Sequence, residues 1–154
     1  MADTNNRCTK EDEKKRFEYL DHPADVQIHS WGPDFKNALE AALLAMFNYM
    51  TDLDKIEEKY DMFYTAKGRD LETLIFATLD EALNTFQSEP FFIAKSVKIT
   101  SFDEKTFEVK FCGWGDSFDL SKHPQEADIK AITYSNMQVL QKEDRCDIYV
   151  IVDI

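Results

Sequence analysis

The chain has 154 residues, with 18 basic against 30 acidic side chains and a formal charge of −12, a length that suits one domain burying roughly two-thirds of its unfolded surface. Such an acidic balance disfavours direct nucleic-acid binding, which sets cations against phosphates, and suits a basic protein partner or divalent cations instead. Apolar residues at 44% and aromatics at 13% support a packed core, and no run of 18 apolar residues offers a membrane span.

Residues 1–16 are polar, charged and aperiodic, which predicts a disordered segment ahead of a single domain over 17–154. The same segment is charged where a signal peptide would be apolar, so a cytoplasmic or nuclear protein is expected. Cys8, Cys112 and Cys146 are odd in number and contain no CxxC pair. Reduced, structural thiols are expected, with neither a disulfide framework nor a thiolate zinc site.

From Asp25 to Trp31 the apolar residues Val26 and Ile28 alternate with polar ones, predicting a strand that Gly32-Pro33 ends. Asp34 can cap a helix whose apolar positions Phe35, Ala38, Leu39, Ala42, Leu43, Met46, Phe47 and Met50 fall on one stripe. A second alternating stretch, Tyr60 to Ala66, stops at Gly68. A second amphipathic helix begins near Asp70, with Leu71, Leu74, Ile75, Thr78, Leu79, Ala82, Leu83 and Phe86 on its apolar face and Asp80 and Glu81 away from it.

Beyond Pro90 the period changes to two: Val97, Ile99 and Ser101, a turn at Asp103-Glu104-Lys105, then Phe107, Val109, Phe111 and Gly113. This predicts a hairpin. A loop runs from Gly113-Trp114-Gly115-Asp116 through His123-Pro124-Gln125. The stretch from Asp128 to Leu140 reads as strand-rich, and a polar turn at Gln141 to Arg145 leads into a last β-branched strand, Asp147 to Ile154. The sum is an α+β fold, a largely antiparallel sheet of about six strands with two amphipathic helices packed on it.

Two places carry possible chemistry. The polar cluster Asp21-His22-Pro23-Ala24-Asp25 precedes the first strong strand, and the chain closes on Asp153-Ile154, where a side-chain carboxylate lies beside the terminal one. If the first and last strands are neighbours, Asp25, Asp153 and the Ile154 carboxylate form a set of hard oxygen donors suited to calcium, magnesium or manganese. A turn at Asp21 to Asp25 and a structural strand end at Asp153 explain the same residues without a metal. Lys130 is a lone cation entering a strand, either an anion or partner contact or an edge lysine that discourages aggregation. His29 and His123 read as structural or solvated, Trp31 and Trp114 as core. No G-x-S-x-G, P-loop or dinucleotide motif occurs.

Taken together, the segments Tyr19-Leu20-Asp21-His22-Pro23-Ala24-Asp25-Val26, Trp31-Gly32, Leu79-Asp80-Glu81, Gly113-Trp114-Gly115, His123-Pro124-Gln125, Lys130 to Met137 and Asp153-Ile154 resemble the archease family, from about Phe17 to the last residue. The resemblance implies an accessory activator, not itself an enzyme, of an RtcB-type tRNA-splicing RNA ligase. That ligase joins RNA ends through a guanylylated histidine with GTP and manganese, and archease-like proteins promote the guanylylation and multiple turnover. It also implies a metal site at Asp25, Asp153 and Ile154, with no catalytic residue, and a partner surface for which Asp21, His22 and Lys130 are candidates. A monomer without nucleic-acid or membrane contact is expected. Two positions depart from the family pattern: Pro23 stands where Thr is expected, and Glu126 where Gly follows His-Pro-Gln. Pro23 lacks a hydroxyl and a backbone donor, which puts hydrogen bonding at that position in doubt. Two other readings of the same residues are a metal-dependent hydrolase using His22 and Asp25 as acid and base, and a chaperone-like protein-binding module.

Overall fold

The computed structural model describes residues 15–22 and 25–154, and for Asp21 and His22 the backbone alone. The expected N-terminal segment 1–16 therefore lies outside the described residues except for Lys15 and Arg16. Arg16 is already tied to the fold: its carbonyl accepts from the Trp31 N–H at 2.9 Å.

The elements run β1 (Phe17–His22), β2 (Asp25–Gly32), α1 (Phe35–Met50), a 3-10 turn (Leu53–Lys55), β3 (Tyr60–Lys67), α2 (Leu71–Phe86), β4 (Phe92–Asp103), β5 (Glu108–Ser117), β6 (Ala131–Ile132), β7 (Gln138–Gln141) and β8 (Cys146–Asp153). The class is α+β, as the periodicities imply. Among the described residues the strands number eight and divide into two antiparallel sheets. One sheet has the order β1-β2-β8, with β6 and β7 both on the far edge of β8, and the other has the order β3-β5-β4.

Both helices start where the sequence provides a cap. Asp34 accepts the Asn37 N–H at 2.9 Å, and Asp70 with Thr73 forms a reciprocal capping box. Helix α1 lies between the sheets, against β2 and β8 on one side and β4 on the other. Its buried surface therefore exceeds the single stripe: Ala41 and Ala45 are buried along with Leu39, Leu43, Met46 and Phe47. Four alanines on this helix let backbones approach closely while the larger side chains fill the gaps. Helix α2 packs on β3 and reaches β6.

Two local expectations change. Strand β1 was not anticipated: it begins at Phe17, runs into the stretch read as a turn from Asp21 to Asp25, and pairs with β2 from Phe17↔Ser30 to His22↔Asp25. The strand-rich stretch 128–140 pairs as strand only at β6 and β7: Thr133 still donates to the Ile151 carbonyl of β8, and the chain then turns at Asn136, which takes a left-handed φ of 49°. Cys146 is free and buried, as expected of a structural thiol. Cys8 lies outside the described residues.

The Gly113-Trp114-Gly115 motif is explained by packing. Beside a register shift between Ala94 and Ser96, β4 comes so close to β5 that a Cβ on Gly115 would sit 2.0 Å from the Ile93 carbonyl oxygen and 2.9 Å from Ala94 Cα. These are backbone atoms in a paired strand and cannot turn aside. Gly115→Ala is expected to lower the melting temperature by roughly 5–10 °C, an overpacking cost of about 2–3 kcal/mol. Thermal unfolding followed by circular dichroism measures it, and an unchanged midpoint would contradict the close approach. No helix among the described residues is long and apolar enough to cross a membrane.

Candidate functional site

Strands β2 and β8 are sheet neighbours, and their register sets Asp25 directly opposite Asp153. On β2 the buried residues Val26, Ile28 and Ser30 face α1, as do Ile148, Val150 and Val152 on β8. Strand alternation then turns Asp25 and Asp153 to the opposite face of the sheet. Directly opposed residues place their Cβ atoms about 4.5–5.5 Å apart, and like charges there destabilise the pair. Asp25 Oδ1 is shielded from solvent, whereas Asp153 is exposed and Ile154 is 38% exposed.

Two more segments meet at this corner. His22 closes β1 opposite Asp25, and β6 places Ala131 opposite Asp153, with the Lys130 N–H donating to the Asp153 carbonyl at 2.8 Å. Lys130 is thus held to the corner by its backbone, and its side chain is exposed. Asp21 pairs with Val26 through the backbone one step along β1. Among the described residues no three His, Cys, Asp or Glu side chains gather into a metal-holding group. The expected donor set contains only two such side chains, its third member being a main-chain carboxylate, and all its atoms are hard oxygens.

The same sheet face carries a polar network that the sequence did not reveal. His29 Nδ1 lies 2.6 Å from Glu18 Oε2, and its Nε2 lies 2.7 Å from Asp147 Oδ2. Each ring nitrogen thus faces a carboxylate oxygen. Arg145 donates to both oxygens of Asp147, from Nε at 2.8 Å and from Nη2 at 2.9 Å. Its guanidinium sits 5.4 Å from the centre of the Trp31 ring, and Tyr149 stacks on His29 at 4.2 Å. The rings roof the charges, leaving His29 8% and Asp147 9% exposed although both point away from the core. The Arg145 hydrogen bonds, helped by that from His29 and opposed by burial, hold the Asp147 carboxyl down at about 2.

His123 is buried and structural, its Nδ1 accepting the Asp119 N–H at 2.9 Å to close a tight turn. Cys146, next to Asp147 on β8, is pushed up to about 11 by burial, so its thiol is inert at neutral pH. Tyr19, raised to about 12 chiefly by burial, ties β1 to α1 by donating to the Ala45 carbonyl at 2.8 Å.

The sequence profile described as the Archease protein family (MTH1598/TM1083) matches residues 17–154. The chain belongs to the archease family. It is 61% identical to the archease-like protein of Caenorhabditis elegans over 142 residues, covering 92% of each chain. It is 32% identical to protein archease of Sulfurisphaera tokodaii, covering 91% of this chain and 99% of that one. In three dimensions it is similar to the solution structure of Methanobacterium thermoautotrophicum protein 1598, with a TM-score of 0.77 and 27% identity over 92% of this chain and all of the other. The family match takes in β1 and runs through the Asp25–Asp153 corner.

Proposed function

We propose that this chain is an accessory activator of an RtcB-type tRNA-splicing RNA ligase, promoting guanylylation of the ligase histidine and multiple turnover in exon joining without catalysing ligation itself. Family membership supports this reading, and the observation that carries its chemistry is the direct opposition of Asp25 and Asp153. A divalent cation, calcium or magnesium or manganese, would be held by the two side-chain carboxylates with the Ile154 carboxylate as third donor. It would offset the repulsion between two directly opposed carboxylates. Asp25, half-buried, fixes one donor in the sheet, and the backbone bond from Lys130 orients the end of β8 that carries the other. The Asp21–His22 end of β1 and the exposed Lys130 side chain lie at this corner, where a partner surface would approach. In this reading the protein works in the cytoplasm or nucleus, wherever its ligase does.

The test is RNA ligation with substrate in excess over an RtcB-type ligase, with GTP and manganese, in the presence and absence of this protein. Stimulated multiple turnover with no ligation by the protein alone is the expected result. Equal turnover with and without it would sink the reading. Phosphoester hydrolysis by the isolated protein with manganese would favour the hydrolase instead.

A further inference from the structure

A second surface lies where the turn after α2 meets the loop after β5. Phe86, Phe91, Phe118 and Leu120 line a groove of about 640 Å³. Phe91 is 43% and Leu120 68% exposed, while Phe86 and Phe118 form the floor, their rings edge to face at 5.6 Å. Isolated exposed apolar residues are ordinary, but two exposed ones flanking two half-buried phenylalanines in one groove are not.

The backbone adds an independent observation. Phe91 has φ of 60°, a left-handed conformation that is a true outlier for a bulky side chain. It is pinned there from both sides: its N–H donates to the Ser88 carbonyl at 2.6 Å, and its carbonyl accepts the Phe118 N–H at 2.8 Å. Glycine would fill this position without strain. The chain instead keeps a phenylalanine and leaves much of its ring in water, a cost of the kind found where a side chain serves recognition.

The charges on the two segments that carry the groove indicate the occupant. Glu89, Asp119, Glu126 and Asp128 are exposed on the same two segments, and Lys122 is turned toward Asp116, 3.4 Å away. The loop continues through Ile129, whose carbonyl accepts from Gln87, to Lys130, whose N–H holds Asp153. The groove and the Asp25–Asp153 corner are therefore joined by one short stretch of chain. Asp119 lines the groove itself, and these exposed carboxylates in a chain of net charge −12 disfavour RNA and a second copy of this chain, while the aromatic floor fits an apolar side chain presented among lysines or arginines.

We propose that this groove is a docking site for a basic, apolar-anchored surface of the partner protein, which, resting on the reading above, is the ligase. The test compares wild type with Phe91→Gly and Leu120→Ser for affinity to an RtcB-type ligase by calorimetry at two salt concentrations. Melting temperatures and sedimentation of the free proteins are measured alongside. Each variant should bind about tenfold or more weakly, as expected for an anchor residue. Leu120→Ser should melt as wild type does, and Phe91→Gly no lower, because glycine removes the strain at φ of 60°. Wild-type affinity should fall as salt rises.

Variants that bind as tightly as wild type overturn the groove while leaving the activator reading in place. A wild type that does not bind the ligase overturns both. Concentration-dependent self-association lost in Phe91→Gly would assign the groove to a second copy and overturn the proposal. RNA binding lost in the same variant would also overturn it.

Discussion

Asp153→Asn is expected to abolish stimulation of the ligase, weaken manganese binding by at least about tenfold and leave the fold intact. The fold survives because Asp153 is the exposed last residue of β8 and its ladder contacts are made by the backbone. Stability should change in opposite directions with and without metal. In chelator, Asp153→Asn removes a like charge directly opposite Asp25 and should be slightly more stable than wild type, by about 0.2–1 kcal/mol. At a manganese concentration a hundredfold above the wild-type dissociation constant the order should reverse, because the cation then stabilises wild type by roughly 2.7 kcal/mol and a variant that binds tenfold more weakly by about 1.4 kcal/mol. Asp25→Ala should lose binding in the same way but destabilise the chelated protein, since it also removes a half-buried side chain. Appending one residue after Ile154 should weaken binding, and with it the gain in manganese, while leaving the stability of the chelated protein unchanged. Melting curves with EDTA and with manganese, beside titration calorimetry, measure all three. If manganese raises the melting temperature of Asp153→Asn as much as that of wild type, the corner does not hold the cation.

The helices were legible because each signal is local. An aspartate cap and a 3.6-residue stripe fixed α1 and α2 within a residue of Phe35 and Leu71. The division into two sheets was not legible, since alternation tells which face of a strand is buried but not which strand lies beside it. Asp25 and Asp153 were singled out as donors from the resemblance and their residue types. Their opposition depends on hydrogen bonds between strands more than a hundred residues apart. The same limit hid β1: Leu20 to Val26 is rich in turn-forming residues, and only pairing with β2 reveals the strand. His29 shows the opposite failure. Its place opposite in phase to Val26 and Ile28 put it on the outward face, where solvent is the ordinary expectation. Burial there is created by Trp31, Tyr149 and Arg145 closing over it.

That network should be a large source of stability outside the core. Asp147→Ala is expected to cost about 2–3 kcal/mol, because it strips a buried ring nitrogen of its acceptor and leaves Arg145 facing His29 without the carboxylate between them. His29→Leu should cost less, since an apolar side chain can fill the slot between Trp31 and Tyr149 and the Asp147–Arg145 pair survives. The two changes should be strongly non-additive, with a coupling of about 1 kcal/mol or more, as expected for residues in one network. Acid unfolding gives a separate check. Asp147 titrates near 2 in the folded chain against an ordinary value of 3.8, so its contribution is complete above about pH 4 and is lost as pH falls toward 2. A shift of nearly two units corresponds to at most about 2.5 kcal/mol, and water reaching the rim of the network reduces this to about 1 kcal/mol. Asp147→Ala should therefore be most damaging near pH 6, and its stability should converge toward that of wild type below pH 3. Urea unfolding at pH 6, 4 and 2.5 measures the convergence. A stability deficit that stays constant over that range would mean that Asp147 contributes by packing and not by charge.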